Sequence, residues 1–129
     1  MSPQYSKELT IIRQWRIIEC GKGRMEIIET LLFTKRIADI FSDEEYRELQ
    51  WTLIANPAVG LVIPGGHGLR KLRWTMAGSG KRSGVRIIYY LILKGEQIFL
   101  IFPYKKSEQD DLTKAQLKIL SDYVKEGVV

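Results

Sequence analysis

This sequence is short of the residues that most enzymes use for chemistry. Its 129 residues include one cysteine, Cys20, and one histidine, His67. A single cysteine excludes an internal disulfide and agrees with a reducing cytoplasm, the compartment expected for the chain. One cysteine and one histidine are too few for a His/Cys zinc site, and no Cys–His nucleophile pair is suggested. A Ser-His-Asp triad would have to use His67, which sits among Pro64, Gly65, Gly66 and Gly68 and reads as a loop residue. The longest apolar run, Ile87 to Leu93, is 7 residues. A membrane-spanning helix needs about 20, so no membrane partner is expected. The first residues alternate polar and apolar, without the continuous apolar core of a signal peptide.

One further absence is local. Residues 49–95 contain no aspartate or glutamate, yet they carry Arg70, Lys71, Arg73, Lys81, Arg82, Arg86 and Lys94. The formal net charge of the chain is +5. The window 49–95 alone holds seven positive charges, whereas 25–48 has three basic and seven acidic residues. Such a segregated distribution produces a one-sided positive field, and the commonest partner of such a field is nucleic acid phosphate. A solvated basic face without a partner is the alternative.

Length and composition suit one domain with a sizeable core. Leu9, Ile12, Arg13, Arg16 and Ile17 form a basic amphipathic pattern that suggests a helix. Residues 1–24 are read as an N-terminal extension, helical or flexible, and Met25 opens the patterned domain 25–129. Residues 25–30 suggest a strand, and residues 31–41 a helix. Ser42-Asp43-Glu44-Glu45 is a capping box that starts a second helix, which ends before Pro57. Leu69 to Thr75 alternates, with Leu72 and Trp74 on one face and Lys71 and Arg73 on the other. Val85 to Leu93 is apolar on both faces, as a central strand should be. Gln97 to Pro103 is another apolar strand, giving an antiparallel meander of three. Thr113-Lys114-Ala115-Gln116 is a second capping box, opening a last helix. The predicted order is β-α-α-β-β-β-α, a compact α+β domain with a mainly antiparallel sheet and helices on one sheet face.

The remaining motifs exclude several cofactors. Gly78-x-Gly80 lacks the third glycine and the following helix of a dinucleotide site. Gly80-Lys81-Arg82-Ser83 is similar to the end of a phosphate loop. It lacks a glycine five residues earlier, and a strand follows, so no cofactor is expected. Carboxylates are missing from the central strands, which argues against paired-acid or carboxylate–metal chemistry. What is left is a cationic strand surface. Lys71 and Arg73 project from one face, Arg86 opens the next strand, and Lys105 and Lys106 end the last. Converging cations suit a phosphodiester, whose transition state gains negative charge. A lysine among like charges can serve as acid or base without histidine. Tyr90 and Tyr104 are candidates to stack on a base, with core packing as the alternative.

These residues resemble a family. The carriers are the run Leu69-Arg70-Lys71-Leu72-Arg73-Trp74, the run from Gly80 through Val85-Arg86 to Tyr90, Tyr104-Lys105-Lys106-Ser107-Glu108, and Asp111-Leu112. Together with Phe41 to Tyr46 and Asn56-Pro57, they resemble the RelE-like toxins of bacterial type II toxin–antitoxin modules, closest to the HigB-like branch, over about residues 25–126. The resemblance implies a compact RelE-like α+β fold and ribosome-dependent cleavage of messenger RNA by metal-free attack of the ribose 2′-OH. By position it implies catalytic roles for Lys71, Arg73, Arg86 and Lys106. It also implies RNA or ribosome contact by Arg70, Lys81, Arg82 and Lys105. The implied partners are the ribosome, messenger RNA and a helix-turn-helix antitoxin, with operator DNA engaged only through the antitoxin complex. Ser107 stands where many relatives have an arginine, and the C-terminal tyrosine of some relatives has no counterpart near Asp110 to Lys114. Two other readings stay open: a ParE-like gyrase inhibitor without catalysis, and an inactive nucleic-acid-binding module.

Overall fold

The structure, a computed structural model, describes residues 15–18, 25–75, 84–92 and 96–126. In chain order the elements are β1 (Trp15–Ile18), β2 (Glu26–Thr30), α1 (Leu31–Ile40), α2 (Asp43–Ala55), β3 (Leu61–Val62), β4 (Leu69–Trp74), β5 (Val85–Ile92), β6 (Gln97–Lys105) and α3 (Lys114–Lys125). The architecture is mixed α+β, with one six-stranded sheet in the order β1-β2-β6-β5-β4-β3. Strands β2 and β6 run parallel, and the other neighbours are antiparallel. The meander β4-β5-β6 is as the alternation of its residues requires. Two short strands, β1 and β3, lie outside the expected order.

Each helix starts on a residue that satisfies its first free N–H groups. The Thr30 hydroxyl accepts from the Phe33 N–H at 3.0 Å and donates to the Ile101 carbonyl at 2.7 Å, tying the start of α1 to the sheet. Ser42 with Glu45, and Thr113 with Gln116, form the two reciprocal capping boxes expected from their spacing.

The helices do not share one sheet face. Neighbouring residues on a strand point to opposite sides, and here they enter different cores. Ile27, Ile87, Ile98 and Leu100 pack with Phe33, Ile37, Leu49 and Leu53 from α1 and α2. Ile28, Ile88, Phe99 and Phe102 pack with Leu120, Tyr123 and Val124 from α3. The physical reason is the composition of β5 and β6. Strands apolar on both sides must be covered on both sides, so the single-face arrangement is corrected to α1 and α2 on one face and α3 on the other.

The segment before Met25 also needs revision where it is described. Residues 15–18 are a strand paired antiparallel with β2, rather than the end of a helix. Residues 1–14 and 19–24 lie outside the described residues. The Arg16 guanidinium reaches Glu29 Oε1 at 3.2 Å, and Glu29 is itself buried. Thr34 donates to the same carboxylate at 2.6 Å, and the Tyr46 hydroxyl donates to its other oxygen. A buried carboxylate is tolerated only with such partners. Burial first, then the negative charge of Glu29 and the bond to it, push the Tyr46 phenol far above its ordinary range. Among the described residues, no helix is long and apolar enough to cross a membrane.

The two-sided core has a direct test. Ile87 and Ile88 are adjacent and both fully buried, but they face opposite helices. Ile87→Ala and Ile88→Ala should each cost about 2–5 kcal/mol in urea unfolding. A cost below about 1 kcal/mol for either would contradict cover on that face.

Candidate functional site

The site grows from strand register. Arg73 on β4 lies directly opposite Arg86 on β5, and Arg86 lies opposite Tyr104 on β6. Lys71 is two residues from Arg73, opposite Ile88. Period-two alternation therefore puts Lys71, Arg73, Arg86 and Tyr104 on one face, the face that α3 covers further along. Directly opposed Cβ atoms in an antiparallel pair stand roughly 4.5–5.5 Å apart, and like charges there are destabilising. Among the described residues, no carboxylate is within salt-bridge range of either guanidinium. Arg86 is also 9% exposed. A Cβ on Gly84 would come within 3.0 Å of Arg86 Nη1, so the glycine makes room for that group. Arg73 and Arg86 are thus two like charges at paired positions of the ladder, which makes this end of the face a candidate for an anion.

Lys71 has a different environment. Its Nζ donates to Asp111 Oδ1 at 3.2 Å. The Tyr104 hydroxyl reaches the same oxygen at 3.4 Å, and the Leu112 N–H at 2.8 Å. Partial burial acts to raise the Asp111 carboxyl. The Leu112 N–H, the bond and charge of Lys71 and the Tyr104 hydroxyl outweigh it and hold the carboxyl below its ordinary value of 3.8. The premise for a lysine base, a surround of like charge only, does not hold at Lys71, whose Nζ meets a carboxylate.

Beside these groups opens a cleft of about 510 Å³. Lys71, Arg73 and Asp111 line it together with Leu61, Val62 and Leu112. Leu61 and Val62, on the edge strand β3, are largely exposed. The cleft thus offers a cationic rim and an aliphatic wall, which suits an organic anion better than a bare inorganic one.

The other candidates are distributed as follows. Lys106 is exposed just beyond β6, and its N–H is bonded to the Gly84 carbonyl at 2.9 Å, so its backbone is anchored next to Arg86. Ser107 is exposed in the following turn. Arg70 points to the opposite face. Its Nη1 donates to the Gly60 carbonyl at 2.8 Å and to that of Ala58 at 3.3 Å, bracing the connector after α2. Tyr89 holds the same connector: its hydroxyl donates to the Pro57 carbonyl at 2.7 Å and accepts from the Gly60 N–H at 2.8 Å. Lys105 pairs with Val85, which packs on the α1–α2 face, so alternation sends it away from Arg86. Tyr90 is half-buried against the core and passes over Gly68, whose φ of 100° and lack of a Cβ allow the approach. Tyr104 is 0% exposed, with its ring 5.9 Å from that of Phe102. It has no free face on which to stack a base, and only its hydroxyl serves the site. Lys81 and Arg82 lie outside the described residues.

Asp111, which the sequence offered only as part of the Asp111-Leu112 motif and not as a site residue, is the carboxylate brought against Lys71. A signal was present, because the capping box at Thr113 fixes the loop in front of it. Gln109 Nε2 donates to the Asp111 carbonyl at 2.9 Å and to Gln116 Oε1 at 2.8 Å, linking that box to Asp111. No protein-family model matches the chain.

The charge state of Asp111 can be read directly. Because its folded value is depressed, its contribution is present above the unfolded pKa and is lost as pH falls through the folded one. The tie to Lys71 is therefore intact at neutral pH and released only in acid. Carboxyl-carbon NMR should place the Asp111 midpoint below 3.8, and Lys71→Met should move it upward. An unmoved midpoint would show that Lys71 has no part in the shift.

Proposed function

We propose that the chain is a RelE-like toxin, closest to the HigB-like branch, that cleaves messenger RNA on the ribosome. The observation that carries the reading is the direct opposition of Arg73 and Arg86, with Lys71 on the same face. Lys71 and Arg73 line the cleft and Arg86 stands on the same sheet face, and a phosphodiester's transition state gains from positive charge so placed. The motifs from Leu69 to Trp74, Gly80 to Tyr90 and Tyr104 to Glu108 support the same reading. In it the domain has the RelE-like fold, works in the cytoplasm, is neutralised by a helix-turn-helix antitoxin and meets operator DNA only through that complex.

The chemistry needs no co-reactant. The 2′ oxygen attacks the adjacent phosphorus, forming a P–O2′ bond as the P–O5′ bond breaks. The products are a 2′,3′-cyclic phosphate and a 5′-hydroxyl. The 2′ proton leaves to water at the open cleft, and the Lys71 ammonium gives one to the 5′ oxygen before water restores it. Arg73 and Arg86 take the non-bridging oxygens, where charge builds in the transition state. Lys106 extends the positive field at the end of β6.

Expressed in a cell-free translation system, the protein should yield cut message only when ribosomes translate it. Arg86→Ala should lower cleavage about 10²–10³-fold, the usual effect of removing one preorganised charge donor. Intact message with the wild-type protein would overturn the reading. Salt-sensitive RNA binding without products would favour the binding-module alternative.

A further inference from the structure

Asp111 sits on the cationic face without being one of its cations, and it is more firmly held than an exposed loop carboxylate needs to be. Its Oδ1 takes three donors: the Leu112 N–H at 2.8 Å, Lys71 Nζ at 3.2 Å and the Tyr104 hydroxyl at 3.4 Å. Its own carbonyl accepts from Gln109 Nε2 at 2.9 Å. Gln109 is bonded in turn to Gln116, the N3 residue of the α3 capping box. Tyr104 belongs to the sheet and is fully buried, so the carboxylate is fixed from the sheet as well as from the loop. A lysine side chain has four rotatable bonds and a strongly hydrated head, and holding it in one place costs conformational entropy. An exposed ion pair contributes little stability on its own. A rigid carboxylate that takes one hydrogen of a flexible ammonium therefore acts mainly on where that ammonium points.

We infer that Asp111 is a positioning residue. Braced by Tyr104 and the α3 cap, it holds the Lys71 ammonium on the face shared by Arg73 and Arg86, ready to protonate the leaving oxygen. This role rests on the ribonuclease reading. Asp111 does not touch the phosphate; it is an anion and acts through Lys71. Loss of its hold leaves the cationic surface intact and lets Lys71 swing, so the chemical step slows while RNA binding persists.

The test compares wild type, D111N, D111E and Tyr104→Phe in single-turnover cleavage of message on stalled ribosomes. Thermal melts check that each variant is folded. D111N should lower the cleavage rate about 10²-fold, the scale of a misplacement near 1 Å, with half-saturating ribosome concentration within about twofold of wild type. D111E should recover part of the loss, and Tyr104→Phe should fall between. A folded D111N that cuts at the wild-type rate, or one whose defect lies in saturation alone, overturns the inference. A wild-type protein that cuts nothing overturns the ribonuclease reading instead, and a second measurement then decides the role of Asp111. The Lys71 ζ-ammonium NMR signal should be distinct and slow to exchange in wild type and averaged with the other lysines in D111N. An unchanged signal shows that Asp111 does not place Lys71.

Discussion

The structure depends on the register of one strand. Val85–Ile92 is apolar on both faces, and each of its residues from Val85 to Tyr90 has a defined partner on β4 and β6. A slip of one position would exchange the two faces and bury charge. With the register set, Ile87 and Tyr89 meet α1 and α2, while Ile88 meets α3. The same register sets Arg86 opposite Arg73. The core and the candidate site are thus two outcomes of one pairing.

Burying charge beside this core requires compensation, and the molecule uses two designs. Glu29 is enclosed and fully matched by Arg16, Thr34 and Tyr46. Every group there has a partner, and the cluster ties β1 to β2 and α1 to α2. On the opposite side, Arg73 and Arg86 face each other without a carboxylate among the described residues. Lys71 has Asp111 within reach, but that carboxylate is exposed and comes from a loop. A satisfied network rigidifies, whereas like charges without a carboxylate beside them leave a positive field on that face. The contrast separates a cluster whose charges are paired from one whose charge is left over, although both are built from similar residues.

The bulge between β5 and β6 adds a smaller constraint. Ile88 pairs with Phe102 and Tyr89 with Leu100, which leaves Ile101 unpaired across the ladder. Its carbonyl is then available to the Thr30 hydroxyl at 2.7 Å. The start of α1 is joined there to the middle of the sheet. Bulges of this type increase local twist, and this one lies between the site end of the sheet and the end that pairs with β2.

Much of this was determined by the sequence alone. The capping boxes at Ser42 and Thr113, the alternation of Leu69 to Trp74 and the two-sided apolarity of β5 are local patterns, and local physics enforces them. Lys71 and Arg73 share a face because side chains on a strand repeat every two residues. Of the cations in the carboxylate-free window, Lys71, Arg73 and Arg86 share one sheet face. Other features became decidable only in three dimensions. Arg70 is as basic as its neighbours, but alternation and the carbonyls of Ala58 and Gly60 take it to the other side. Tyr104 looked available for stacking, yet Phe102 and the α3 face cover its ring. Residues 15–18 pair with β2, and Arg16 reaches Glu29 across 13 residues of chain. Asp111 joins Lys71 across 40 residues of chain, through a loop whose position depends on how α3 docks. Non-local pairing of this kind leaves no periodic trace in a sequence, because it is decided by which surfaces must be buried together.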